Sequence, residues 1–524
     1  MRLFHPGPTV CAMALLLFAA SSLGCSDYVE GEDNAFDTEE GAEFNQEAED
    51  VDDEVDLEVP EFEVDEACDW EDAHPWDGPG GGLDRRFRSV AGGPSSLSEV
   101  EQRIMPVRAA EVRDDGRSVA DIRSIAVASS GMTVILYRFR EGAGDELVLK
   151  AYDGAGEELW GSGFGESDAA TATEQSVSLL DGCQLLVTLD DRLYLVDGAA
   201  GTVEEELALP GSALGSPHIV DGDSAIVATN IAEGTSKMQI SVQSVERDLG
   251  AMSTVYEGSE YAFSEFNYGP VRTVYDELRG LLFVPAPVAH GHGSGGGVGG
   301  GVLAGMVGIE LDEGVVDMTV MPEREDLLDG HSSGTGGGFS AVYPFGSDGR
   351  YLYFHADSLR VPYLGAVDLE RQEVVRVGQW EILNGSEGGT PIVQGFPSHT
   401  IANGSRGTFS YGSHGDDALV AVDGWGESGG IEVDDHQGGA AWRPSLVSDA
   451  RGSTYLVGGE ASLEVMELSA DGQVVDSIEV DDAWRAMRPV AIGVEETLLL
   501  VGTQRQCDEE ERCVETKYVV VMGN

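Results

Sequence analysis

Basic residues are scarce in this chain. Among 524 residues there are 30 Lys and Arg against 95 Asp and Glu, a formal net charge of -65. So acidic a surface repels phosphates, which excludes binding to DNA or RNA and disfavours docking on anionic lipid headgroups. The acidity suits a protein kept soluble in a salty medium. Cysteine is also rare: there are six, and no two are adjacent. Helical signals are missing as well, since no long window carries apolar residues at helical spacing. One apolar run stands out, residues 10–20. It is shorter than the ~18 residues a spanning helix needs. Proline is modest at 19 residues, whereas Gly reaches 71, a balance that points to many tight turns.

The N-terminal run reads as an export signal. Arg2 supplies a short positive region, residues 10–20 the apolar core, and Ser21-Ser22-Leu23-Gly24-Cys25 the processing region. This resembles the bacterial lipoprotein signal, in which a lipid-modified Cys follows a small residue. Gly24 and Cys25 fit that pattern; Ser22 stands where the family prefers Leu. The resemblance implies lipidation at Cys25 and placement at the outer membrane or cell surface, with the periplasm as the alternative. Residues 1–24 are then the signal peptide; ordinary secretion with a nearby cleavage and a free Cys25 is the competing reading.

An acidic stretch follows. Residues 27–72 hold 23 Asp or Glu and no Lys or Arg. Sparse apolar groups and self-repulsion predict a disordered acidic tether over residues 25–82, ending in Gly78-Pro79-Gly80-Gly81-Gly82.

Beyond it the chain repeats one phrase: a short apolar strand, an Asp-Gly turn and a second strand. Copies are seen at Leu147-Val148-Leu149-Lys150-Ala151-Tyr152-Asp153-Gly154, at Leu193-Tyr194-Leu195-Val196-Asp197-Gly198, at Leu364-Gly365-Ala366-Val367-Asp368, at Leu419-Val420-Ala421-Val422-Asp423-Gly424 and at Val465-Met466-Glu467-Leu468-Ser469-Ala470-Asp471-Gly472. These are hairpin signatures. Successive copies lie 44 residues apart from Asp153 to Asp197 and 48 apart from Asp423 to Asp471, the period of a four-stranded propeller blade. The fold class is therefore all-β, a single propeller over residues 100–524, with eight blades favoured over seven. The segment from Ile104 to Val112 is expected to complete the last blade and close the ring.

Ala151, Asp153, Gly156 and Trp160 are similar to the blade motif of quinoprotein-like (PQQ-like) propellers, Ala-x-Asp-x-x-Thr-Gly-x-x-x-Trp. Gly156 comes one residue early and no Thr precedes it. That family contains alcohol dehydrogenases and the propeller lipoprotein of the outer-membrane barrel-assembly machine. The resemblance implies the fold and carries no activity. The family's enzymes place a vicinal Cys pair above their quinone, and this chain has none. No cofactor is expected.

Other chemistry is thin. His290 and His292 open one Gly tract and His331 precedes another, a spacing that suits Zn²⁺ or Cu²⁺. Flexible glycines are a poor scaffold for a metal, so two loops with incidental histidines is the competing reading. No arrangement of Ser, His and Asp exceeds chance, and the Gly runs lack the Lys of a phosphate loop. Cys507 and Cys513 flank a charged loop, where a disulfide would staple a hairpin. A bridge between Cys68 and Cys183 would pin the tether to the propeller; sequence leaves that pairing open.

Two functions follow. One is a monomeric, non-catalytic binding scaffold at the bacterial cell envelope, with a protein, peptide or glycan partner and membrane contact through the lipid anchor alone. Trp425, Trp442 and Trp484 are candidate aromatics near its binding face, although for any one of them packing within the blades is the favoured reading. The other is an envelope enzyme with its site in the central channel, which requires titratable groups converging from several blades.

Overall fold

The computed structural model describes residues 70, 74, 89–105, 120–141, 144–167, 175–220, 224–232, 237–262, 273–289, 302–320, 339–347, 351–358, 363–379, 400–403, 408–412, 418–423, 427–432, 447–458, 463–469, 474–481, 484–507 and 513–523. They belong to one compact unit, which runs from Leu57 to Asn524. Among them the one helical element is a 3₁₀ turn, Leu97–Glu99. No helix among them is long and apolar enough to cross a membrane.

Everything else regular is β. Among the described residues there are seven four-stranded antiparallel sheets, one five-stranded sheet and one two-stranded ribbon. Sheet 1 is Ala120–Val127, Thr133–Glu141, Gly144–Tyr152 and Glu158–Ser167; sheet 2 is Gln175–Leu180, Gln184–Leu189, Arg192–Asp197 and Val203–Ala208. In sheet 3, Ser212–Ala213 and His218–Val220 share the first position against Ser224–Asn230, followed by Ile240–Glu246 and Met252–Glu257. Sheet 4 is Val274–Asp276, Leu281–Ala289, Val302–Glu310 and Val315–Val320. Sheet 5 is Phe339–Ser347, Tyr351–Ser358, Tyr363–Asp368 and Glu373–Gln379; sheet 6 is Thr400–Asn403, Thr408–Gly412, Ala418–Asp423 and Glu427–Glu432. Sheet 7 is Val447–Ser448, Thr454–Gly458, Glu464–Leu468 and Val474–Glu479. Sheet 8 is Trp484–Ile492, Leu498–Cys507, Cys513–Gly523 and, from the N-terminal side, Glu101–Ile104.

The sheets form a ring, an all-β propeller. Ala120–Val127 touches Gln175–Leu180 on one side and Trp484–Ile492 on the other. Core clusters join sheet 2 to sheet 3 and sheet 3 to sheet 4. The first strands of sheets 4 to 8 touch in succession. Sheets 1 to 3 are thus covered on both faces, so their inner strands need no polar alternation. In sheet 2, Gln184–Leu189 is buried after its first residue, whereas Val203–Ala208 is almost wholly exposed and carries Glu204, Glu205 and Glu206. In this sheet three carboxylates therefore sit on the outermost strand.

Closure is made by register. Glu101 lies opposite Gly523 and Ile104 opposite Val520, antiparallel. The closing strand ends at Ile104, so the expected closing segment overlaps it at its first residue; 106–112 lie outside the described residues.

Candidate functional site

Strand direction alternates within each sheet, so the connections sort by end. First-to-second and third-to-fourth turns lie at one end, the turn end. Second-to-third connections and the links to the next sheet lie at the other, the loop end. Every connection at the turn end is five residues or fewer. All longer ones leave from the loop end: 105–119, 168–174, 231–239, 258–273, 290–301, 321–338, 380–399 and 433–446. The ribbon pairing Lys237 with Ala262 and Met238 with Tyr261 joins two of them.

The turn end is built by carboxylates that cap their own backbone. Asp153 Oδ1 accepts from the amides of Ala155 at 3.0 Å and Glu157 at 2.8 Å. Asp197 Oδ1 accepts from Ala199 at 2.7 Å and Ala200 at 3.0 Å. Asp368 Oδ1 accepts from Glu370 and Arg371, both at 3.0 Å. An Asp acceptor satisfies the turn amides that the tight reversal leaves without a strand partner. The repeated Asp of the sequence phrase is turn chemistry in these three sheets.

Trp160 ends the same phrase and works at a seam. Its Nε1 donates to Gly198 O of sheet 2 at 2.7 Å, and the neighbouring Ser162 hydroxyl donates to Gly201 O. Gly201 has φ of 67°, and a Cβ there would lie 2.3 Å from Trp160 Cε3. Only glycine fits both demands.

A segment ahead of the first sheet lies along the turn end. The Trp70 ring packs beside the core between sheets 1 and 2. It meets the His74 ring edge-on at 5.6 Å, and buried His74 Nδ1 accepts from the Ser129 amide at 3.2 Å. Further on, the chain crosses sheet 7. Ser89 N donates to Ser448 O at 2.8 Å, and Ala91 O accepts from Ala450 N at 3.0 Å. Asp449 is fully buried; its Oδ2 accepts from Gly93 N at 2.9 Å and its Oδ1 from Ser453 N at 2.9 Å. Arg451 donates to Gly93 O and, at 3.2 Å, to Glu496 Oε1. Asp476 Oδ2 then takes Leu97 N at 2.8 Å. Burial, with the Asp449 charge beside it, raises the Tyr455 phenol far above the ordinary tyrosine range.

The sequence-derived site residues fall unevenly on this frame. Cys25, His290, His292 and His331 lie outside the described residues, as do Trp425 and Trp442. The connections containing His290, His292 and His331 link strand ends at the loop end. Other loop-end connections contain His399, His414 and His436, so six of the chain's ten histidines fall in them. That concentration is a signal the sequence pattern alone did not expose. Cys507 and Cys513 stand directly opposite each other on the second and third strands of sheet 8. Trp484 is buried, edge-on to Tyr518 at 6.1 Å, and belongs to the core rather than to a binding face. Cys183 is disulfide-bonded. Two pentapeptides, 330–334 and 426–430, have the Gly-x-Ser-x-Gly spacing of a hydrolase elbow. Ser428 stands inside the outermost strand of sheet 6, opposite Val422, where no strand-to-helix turn exists. Ser332 lies outside the described residues. Among the described residues no three His, Cys, Asp or Glu side chains gather as a metal site.

Comparison with known proteins gives fold and no family. No family model matches, and no curated protein matches. Solved structures do. A quinohemoprotein alcohol dehydrogenase from Comamonas testosteroni shares 10% identity at a TM-score of 0.50, covering 86% of this chain and 81% of its own. A europium-containing methanol dehydrogenase shares 10% at 0.49, covering 86% and 98%. BamB from Moraxella catarrhalis shares 14% at 0.41, covering 81% and 100%. At such identities the likeness is one of architecture, a PQQ-like propeller fold.

Proposed function

We propose that this chain is an exported, lipid-anchored propeller that acts as a non-catalytic binding scaffold at the bacterial cell envelope. The observation that carries the reading is the sorting of connections: every long one leaves from the loop end, above a ring whose other end is closed by short capped turns. Binding surfaces are commonly made of such loops on a rigid scaffold. A protein, peptide or glycan is the class of partner. The disulfide at Cys183 supports export, because structural disulfides persist in oxidising compartments.

Replacing 321–338 or 380–399 by a short Gly-Ser turn in the full-length chain tests the surface. Capture of the cognate envelope partner should be lost while thermal stability stays near that of the parent. Unchanged capture by both variants overturns it. Mass spectrometry of the mature N-terminus tests the anchor: Cys25 should carry a diacylglyceryl group, and an unmodified Cys25 or cleavage elsewhere defeats it. His290, His292 and His331 are proposed as Zn²⁺ ligands at the same end. Titration with Zn²⁺ against a chromophoric chelator should show a site that the triple Ala variant lacks.

A further inference from the structure

We infer that Cys183 is bonded to Cys68, and that this bridge fixes where the acidic N-terminal segment meets the propeller: the turn end, at the seam of sheets 1 and 2. Cys183 sits in the first-to-second turn of sheet 2 and is disulfide-bonded. A Cβ placed on Gly198 would lie 2.8 Å from Cys183 O, 2.9 Å from Cys183 Sγ and 3.0 Å from Trp70 Cη2. The Trp70 ring and the Cys183 sulfur therefore meet at one spot. Cys68 is two residues before Trp70. Two extended residues reach about 7 Å, within what a disulfide's Cα separation and a Trp side chain together span. The other cysteines lie elsewhere in the chain. Cys507 and Cys513 face each other in sheet 8, with sheet 1 between them and sheet 2. Cys11 lies in the apolar run and Cys25 at the lipidation position.

The bridge closes a covalent loop that contains the sheet 7 crossing, Glu101–Ile104 and all of sheet 1. A pull on the N-terminal segment is then taken by a turn of sheet 2. Without the bridge it would act first on the noncovalent contacts of Trp70 and His74 and then on the hydrogen bonds of the sheet 7 crossing, ahead of the ring-closing strand. The bond forms when two thiols give up two protons and two electrons to a protein disulfide of the oxidising compartment, which leaves as a dithiol. It requires that compartment but no binding partner, so its failure would leave the loop-end reading standing.

Non-reducing proteolysis of the full-length mature chain, followed by mass spectrometry, tests the pairing. The expected result is one cross-linked peptide pair containing Cys68 and Cys183. Cys183 linked to any other cysteine, or Cys68 found as a free thiol, overturns it. The docking is tested separately by chymotryptic cleavage after Trp70. The C68S/C183S double variant should be cut there at least several-fold faster than the parent, because local opening no longer works against a covalent tie. Equal rates, with the cross-link present in the parent, overturn the claim that the bridge holds this segment on the turn end.

Discussion

The indole of Trp160 reaches across the seam between sheets 1 and 2 and donates to the carbonyl of Gly198 at 2.7 Å, while its ring covers Gly201. This contact joins two sheets through side chain and backbone together. W160F keeps most of the ring and loses the donor, and should cost about 1 kcal/mol in denaturant unfolding. W160A removes the ring and should cost about 3 kcal/mol. Gly201→Ala should also destabilise, by roughly 1–3 kcal/mol, since its Cβ would collide with the ring and its φ is left-handed.

Asp449 ties the N-terminal crossing to sheet 7 through the Gly93 amide. Asp449→Ala leaves that amide and the Ser453 amide without their acceptor, and should lower stability by about 2–4 kcal/mol. Hydrogen exchange at Gly93 should accelerate more than exchange in the central strands of sheet 2.

The phenols of Tyr137 and Tyr152, both fully buried, lie 3.3 Å apart. Burial raises both, Tyr152 to about 12, with the Glu158 charge pushing the same way. A phenol raised in the folded state favours folding below the exposed-tyrosine range near 10 and loses that contribution as pH climbs through the folded value. Tyrosinate absorbance should therefore show a late component that coincides with alkaline unfolding. In Y152F that component should shrink.

Burial also raises the Glu467 carboxyl, although the Ser453 hydroxyl donates to it at 2.6 Å and opposes the shift. The sign is that of a raised acid: its stabilising contribution is present at acid pH and lost as pH rises through the carboxylate range. Glu467→Gln should raise the melting temperature slightly at pH 7 and leave it unchanged at acid pH, as paired thermal melts would show.

Local signals told the fold. Short apolar strands around Asp-Gly turns at a blade-like period are neighbour-to-neighbour information, and Asp153 and Asp197 behave as that pattern predicts. The N-terminal crossing was not legible. Gly93 and Asp449 are 356 residues apart, and residues 89–99 have no periodicity that would announce a docked segment. Trp484 shows the same limit in reverse: one aromatic at a strand start reads alike whether it faces solvent or, as here, lies over Gly502 in the core. The loop end was legible only as scattered Gly-rich stretches, because which end a connection occupies depends on strand order and not on composition.

Closure of the ring also sets a timetable. Glu101–Ile104 pairs with Cys513–Gly523, and every other sheet is translated between them. The early strand must wait, its hydrogen-bonding edge unsatisfied, until the late one has been made. Sheet 1 likewise waits for the side chains of sheet 8 that cover one of its faces. Until Cys513–Gly523 is in place the ring keeps two unpaired edges, and a stop codon ahead of Cys513 would leave it that way. Protection from aggregation is needed most during that interval, before Cys513–Gly523 has paired with Glu101–Ile104.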